Sequence, residues 1–156
     1  MSEAAATEAK QPEFNIEKLY VKDLSVEVPH APSIFLERES PQVDLQLHTE
    51  NSAIGEGVYE VTITATLTAK LATKDKVMFL IEAQQAGIFH VKNIPAAEIE
   101  SVLGVVCPNI LYPYLREVIT DVSIRSGFAP VLLNPINFEA LFQQQKAQAA
   151  ASATKH

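Results

Sequence analysis

The side chains in this chain that could do chemistry are His30, His48, His90, His156, the single Cys107 and the carboxylates Asp23, Glu27 and Glu82. Imidazole and thiolate would ligate a transition metal, but no two histidines stand at ligand spacing and no cysteine or carboxylate motif completes a set. A thiol nucleophile needs a nearby base or cation to lower its pKa. Cys107 precedes Pro108 in an apolar stretch with no histidine beside it, and reads as a small packing residue. A carboxylate pair works in an apolar cleft that separates the two pKa values, whereas these three acids fall on what reads as an open sheet face. Gly55, Gly57, Gly87, Gly104 and Gly127 form neither a dinucleotide fingerprint nor a phosphate loop, and no serine sits in a nucleophile elbow. No metal and no cofactor is therefore expected, and an enzyme would have to use an unfamiliar site. What the chain offers instead is apolar surface: Cys107 to Phe142 packs aromatic and aliphatic residues densely and contains no catalytic constellation.

The elements that must carry this surface are legible from periodicity. From Val58 to Leu71 the residues alternate strictly, with Tyr59, Val61, Ile63, Ala65, Leu67, Ala69 and Leu71 on one face. Glu60, Thr62, Thr64, Thr66, Thr68 and Lys70 take the other, as in a strand with one face in a core and one in water. Val43 to Leu47 alternates likewise. Val77, Phe79, Ile81 and Ala83 point inward on a further strand, with Met78, Leu80 and Glu82 outward, and the polar run at 72–76 makes a hairpin between these last two strands. Gly55 and Gly57 flank Glu56 in a turn. In the first strand the apolar parity switches twice, from Phe14 and Ile16 to Leu19 and Val21 and back to Leu24, Val26 and Val28, which predicts bulges or a bend. Over its last section Asp23, Ser25 and Glu27 lie opposite the apolar set.

After Gln85 the period changes. Residues 87–95 read as an irregular apolar connection, and a helical segment begins near Ala96. Pro108 suits the first turn of a longer helix and Gly127 the residue past its end, with Leu111, Tyr114, Leu115, Val118, Ile119 and Val122 as its apolar stripe and Pro113 early enough to be tolerated. Residues 129–136 form an extended, proline-flanked connection, and Asn137 is a good N-cap for a last helix carrying Phe138, Leu141 and Phe142. Together these predict an α+β fold: a four-stranded antiparallel sheet with one long helix and a C-terminal helix on one face. One domain over 14–145 is expected, with disorder over 1–13 and in the alanine-rich tail 146–156. One helix and two apolar connections exceed what a single sheet face can cover, so self-association is expected.

A chain of 156 residues, 47% hydrophobic, suits one domain with a real core, burying roughly 70% of its unfolded surface. Its formal charge of −7 is uneven: residues 1–60 carry twelve acids against four bases, residues 61–156 seven against eight. Phosphate backbones would be repelled, so no nucleic acid is expected and a basic protein partner fits better. The polar, acidic N-terminus is no signal peptide and no run approaches roughly 18 apolar residues, which predicts a cytoplasmic protein without direct membrane insertion.

Six blocks carry a resemblance to a known family: KDLSVE at 22–27, APSIF at 31–35, VYEVTITATLTA at 58–69, EAQQAGIF at 82–89, CPNILYPYLREVITDVSIRSGF at 107–128 and PINFEALF at 135–142. From Phe14 to Phe142 the chain resembles the SecB family of bacterial protein-export chaperones. The block containing CPNILYPYLRE is highly specific; the threonine-rich strand alone is weak, and the alanine-rich tail differs from the family's usual C-terminal segment. The resemblance implies a homotetramer, a dimer of dimers with long helices between two outward-facing sheets. It also implies that unfolded precursor polypeptides are held without ATP and passed to SecA, the motor of the secretion translocon.

By motif, the resemblance further implies a client-binding groove at Ile88, Phe89, Val91 and Ile94 with Phe138, Leu141 and Phe142. It implies docking of the basic, zinc-containing C-terminal segment of SecA at Asp23, Glu27, Leu80 and Glu82, the zinc belonging to the partner. Ile81, Ala83, Gln85 and Cys107 resemble positions near subunit contacts. Two other readings stay open on the residues: an oligomeric scaffold recruiting one folded basic partner through the acidic face, and an oligomeric small-molecule enzyme with its pocket between helix and connection.

Overall fold

The computed structural model describes residues 10–154. Of the segments expected to be disordered, 1–13 and 146–156, residues 1–9 and residues 155 and 156, the last of them His156, lie outside the described residues. Four strands, β1 (Glu13–Glu27), β2 (Pro41–Gly55), β3 (Val58–Leu71) and β4 (Lys76–Lys92), form one antiparallel sheet in the order β1-β4-β3-β2. Two hairpins supply the central pairings. The first turns at Gly57, whose φ of 68° suits a residue without a Cβ, and the second at Asp75, φ 45°. The connection from β1 to β2 instead crosses the whole sheet and carries a 3-10 turn, Ser33–Leu36, whose Ile34 is fully buried.

One sheet face is the core. Val61, Ile63, Ala65, Leu67, Ala69 and Leu71 of β3 and Phe79, Ile81, Ala83, Phe89 and Val91 of β4 are buried against the helices. The covering element is a single run of helix: α1 (Ala96–Ser101), a π turn over Val102–Val106, and α2 (Cys107–Arg125), with Pro108 in its first turn. Leu111, Leu115, Ile119 and Val122 of α2 face the sheet as the spacing predicts. Tyr114 does not: it is exposed, and Tyr112 takes the buried place, where its hydroxyl donates to the Asn134 carbonyl and its ring meets Phe138 edge-on at 5.5 Å. Val118 is half-buried. By length and composition the run Ala96–Arg125 could span a bilayer, contrary to the expectation that nothing approaches a span; it is the helix packed on β3 and β4, and 44% of its most apolar window is buried. Gly127, φ 90°, ends it. Asn137 caps α3 (Phe138–Ala153), its side chain accepting from Ala140 N at 3.0 Å. The helix continues through the tail to Ala153 with all its side chains from Gln143 onward exposed, so residue 145 marks no end of regular structure.

Two departures in β4 have one cause each. Met78 was expected outward but is 8% exposed, because Lys70 pairs with Val77 and Ala69 with Phe79, leaving Met78 as the extra residue of a bulge. Residues 87–92, expected as a loose connection, continue β4: Gly87, Phe89 and His90 pair with Val61, Tyr59 and Val58. The alternation persists there, but Ala86 and Ile88 on the other face are apolar too, which hides the period.

β1 is bulged twice against β4, between Ile16 and Lys18 and between Val21 and Asp23. Each extra residue resets the pleat, so Phe14, Ile16, Leu19, Val21, Leu24 and Val26 all align with inward residues of β4. The helices do not reach this edge strand: Phe14, Ile16, Val21, Leu24 and Val26 remain 36–46% exposed.

Candidate functional site

The second bulge turns Asp23, Ser25 and Glu27 to the outer face, where they pair with Gln84, Glu82 and Leu80. Across β4 the same rows continue into Thr64, Thr66 and Thr68. Adjacent strands lie roughly 4.8 Å apart and alternate residues roughly 6.8 Å along a strand, so Glu27 and Glu82 flank Leu80 while Asp23, two rows further on, stands roughly 14 Å from it. Asp23, Glu27 and Glu82 are exposed and Leu80 is half-buried. Among the described residues none of the three acids is in an ion pair. The four residues expected to form a docking face thus lie along one stretch of the outer face, three exposed carboxylates with the apolar Leu80 at one end beside Glu27 and Glu82.

On the inner side lies a cleft of ≈ 730 Å³ between the β1–β2 crossover and the connection 127–136, floored by β2 and β4. Its aromatic end is a run of three rings: Phe35 and Phe128 stack at 5.2 Å, and Phe128 meets Phe79 at 4.4 Å. Phe35 can lie there because Gly127 has no side chain; a Cβ would sit 3.0 Å from its ring. Leu132 stands on the rim, 76% exposed. The far wall is held by backbone hydrogen bonds that a loop of this kind would otherwise leave open: Thr120 Oγ1 donates to the Val131 carbonyl at 2.6 Å and Val131 N donates to Ser123 Oγ at 3.0 Å. The near rim is pinned to the β3–β4 hairpin, where Thr73 N donates to Glu39 at 3.0 Å and Lys74 to Glu37 at 2.7 Å. The Thr73 hydroxyl, which also donates to Glu39, and the Thr73 amide hold the Glu39 carboxyl below its usual pKa.

The residues expected in a groove do not share one open surface. Phe89, Val91 and Phe138 are in the core of the protomer, 0–2% exposed, Phe89 stacking on Phe14 at 5.8 Å. Ile88 is half-buried on the outer face, and Ile94, Leu141 and Phe142 are half-buried around the helices. Phe142 lies so close over Gly104 that a Cβ there would come within 2.5 Å of its ring. Ile81, Ala83, Gln85 and Cys107 are likewise buried within one chain, and Gln85 Oε1 has no hydrogen-bond partner among the described residues. The cleft residues Phe35, Phe128 and Leu132 were missed. Their signal was exposed-looking aromatic and aliphatic residues in proline-flanked connections, where no period asks for them.

Cys107 is fully buried, and burial pushes its thiol up to about 12. The native thiol is therefore expected to resist alkylation at pH 8 under conditions that fully modify the urea-unfolded chain; rapid native labelling followed by mass spectrometry would contradict this. Among the described residues no group of three or more His, Cys, Asp or Glu could hold a metal ion.

Comparison with known proteins agrees with the fold. A SecB-like chaperone of Mycobacterium tuberculosis, solved in complex with a ChAD peptide from the HigA1 antitoxin, superposes with a TM-score of 0.66 at 18% identity over 79% of this chain and 90% of its own, which shows a shared fold. The protein-export protein SecB of Nitrosomonas eutropha is 62% identical over 92% of this chain and 89% of its own length, and that of Nitrosospira multiformis 58% over 94% and 91%. The family model "Preprotein translocase subunit SecB" matches residues 7–149. With that match spanning nearly the whole chain, the protein belongs to the SecB family.

Proposed function

We propose that this protein is an ATP-independent export chaperone of the cytoplasm: it holds precursor polypeptides unfolded in its apolar cleft and delivers them to SecA through its acidic sheet face. The observation that carries the reading is the cleft itself, an open trough with three aromatic rings at one end, whose rim carboxylates Glu37 and Glu39 are held by Lys74 and Thr73. A holdase binds the unfolded ensemble in preference to the native state, so mass action delays folding without fuel. Burying one client Leu or Phe yields roughly 1.5–3 kcal/mol, so a few shallow subsites give useful affinity while tolerating many sequences. A client that fills the cleft and follows the chain from Ile136 into α3 reaches the half-buried Leu141 and Phe142. Phe89, Val91 and Phe138 support that surface from beneath.

The uncovered apolar row on edge strand β1 and the exposed Val106, Tyr114 and Ile124 of the helical run support assembly with further copies, as a dimer of dimers. Several clefts on one tetramer would let a long client bind with avidity.

The test is refolding of an unfolded precursor, without nucleotide, in the presence of the protein. Slowed refolding is expected, and no slowing at any protein concentration would refute the reading. Leu132→Ser, a change on the exposed rim, is expected to weaken client binding about three- to tenfold without altering the fold, from the loss of part of one leucine's burial. Unchanged client affinity in a fluorescence titration would move the site elsewhere.

A further inference from the structure

Glu60 has no place in the docking face, yet it organises the strand that carries it. It stands on the outer face of β3 opposite Ile88, with β4 between it and β1. Two side chains of β1 cross β4 to reach it: the Tyr20 hydroxyl donates to Oε2, and Lys22 Nζ to Oε1 at 2.7 Å. Tyr20 pairs with Ala86, so its ring roofs the sheet there, and Ala86 and Thr62 are 0% and 7% exposed on a face that is otherwise wet. Lys22 is the extra residue of the bulge between Val21 and Asp23. The carboxylate therefore grips β1 on the bulge and just before it, at the point where the pleat resets and Asp23 and Glu27 come to face outward.

Charge follows the same geometry. Lys22 is the immediate neighbour of Asp23, and a free ammonium there would fold back onto the acidic patch and cancel part of it. Held by Glu60, it points away along the sheet. The two donors keep Glu60 ionised, its pKa lowered first by Lys22 and then by Tyr20, and burial with the same hydrogen bond pushes the Tyr20 hydroxyl up to about 12.

We infer that Glu60 is a positioning residue for the acidic docking face: by holding Lys22 across β4, beside the Tyr20 hydroxyl, it keeps the Lys22 charge off Asp23 and Glu27. The inference rests on the reading of that face as the site for a basic segment. The probe is the basic, zinc-loaded C-terminal segment of SecA, titrated at low salt against the intact assembly. Glu60→Gln keeps an acceptor for Tyr20 but releases Lys22, and is expected to weaken binding about three- to tenfold, an effect that shrinks as salt rises. Adding Lys22→Met to Glu60→Gln is expected to restore the affinity, which a merely structural role for Glu60 would not do. Lys22→Met alone, which leaves Glu60 as a surplus negative charge, is expected to tighten binding. The inference is overturned if Glu60→Gln binds as the parent does, if the added Lys22→Met does not restore binding, or if Lys22→Met alone weakens it. Glu82→Lys, titrated in parallel, separates the two levels: loss of binding in Glu82→Lys with none of the expected Glu60 and Lys22 effects sinks only this inference, whereas unchanged binding in Glu82→Lys sinks the docking site as well.

Discussion

Glu82→Lys is expected to weaken association with the basic C-terminal segment of SecA by about 10- to 100-fold at low salt while leaving client binding and assembly intact. Glu82 stands in the row between Asp23 and Glu27, next to Leu80 on its own strand, exposed and unpaired among the described residues. Reversing its charge both removes an attraction and puts a cation amid the remaining two carboxylates, so the loss exceeds that of a neutral substitution. Because the charges are solvent-exposed, the difference between the parent and Glu82→Lys should narrow as ionic strength rises past the point where the screening length falls below roughly 8 Å. Isothermal titration at two salt concentrations measures both effects. A parallel fall in client affinity would show that the cleft and the acidic face are not separate, although they lie on opposite sides of the sheet.

Leu115→Ala is expected to destabilise the fold by about 2–5 kcal/mol. Leu115 is 0% exposed in the middle of α2, over β3 and β4. Leu132→Ala, also a leucine but 76% exposed, should stay within about 0.5 kcal/mol. The two are compared by urea midpoint at equal protein concentration, since binding between copies shifts apparent stability. A shift of equal size in both would mean that the helix does not form the core as described.

How far the sequence reveals these features depends on how each face is solvated. β3 was legible in full, because its inward residues from Val61 to Leu71 are dry while its outward ones, apart from the roofed Thr62, keep some contact with water. The two bulges of β1 were legible as parity switches at the positions where the register slips. The second half of β4 was not. Tyr20 roofs the outer face above Ala86, so apolar residues occupy both parities, and a strand covered on both sides loses its period. Tyr112 and Tyr114 could not be ranked by spacing alone; the choice is made by the Asn134 carbonyl, which gives the Tyr112 hydroxyl a partner inside the protein. The acidic face could be assembled from parity and resemblance, since it needs only two neighbouring strands. The cleft joins Phe35, Phe79 and Phe128, about 50 residues apart at each step, and no local pattern links them.

The strand order adds a kinetic consequence. With β1 and β2 at opposite edges, the crossover that supplies Phe35 must travel three inter-strand gaps, about 14 Å, over a surface that exists only once β3 and β4 have paired between them. The opposite wall comes from residues 127–136, made later still by the ribosome. Such distant pairings close slowly. A nascent copy of this chain therefore acquires its trough last, after the sheet is whole.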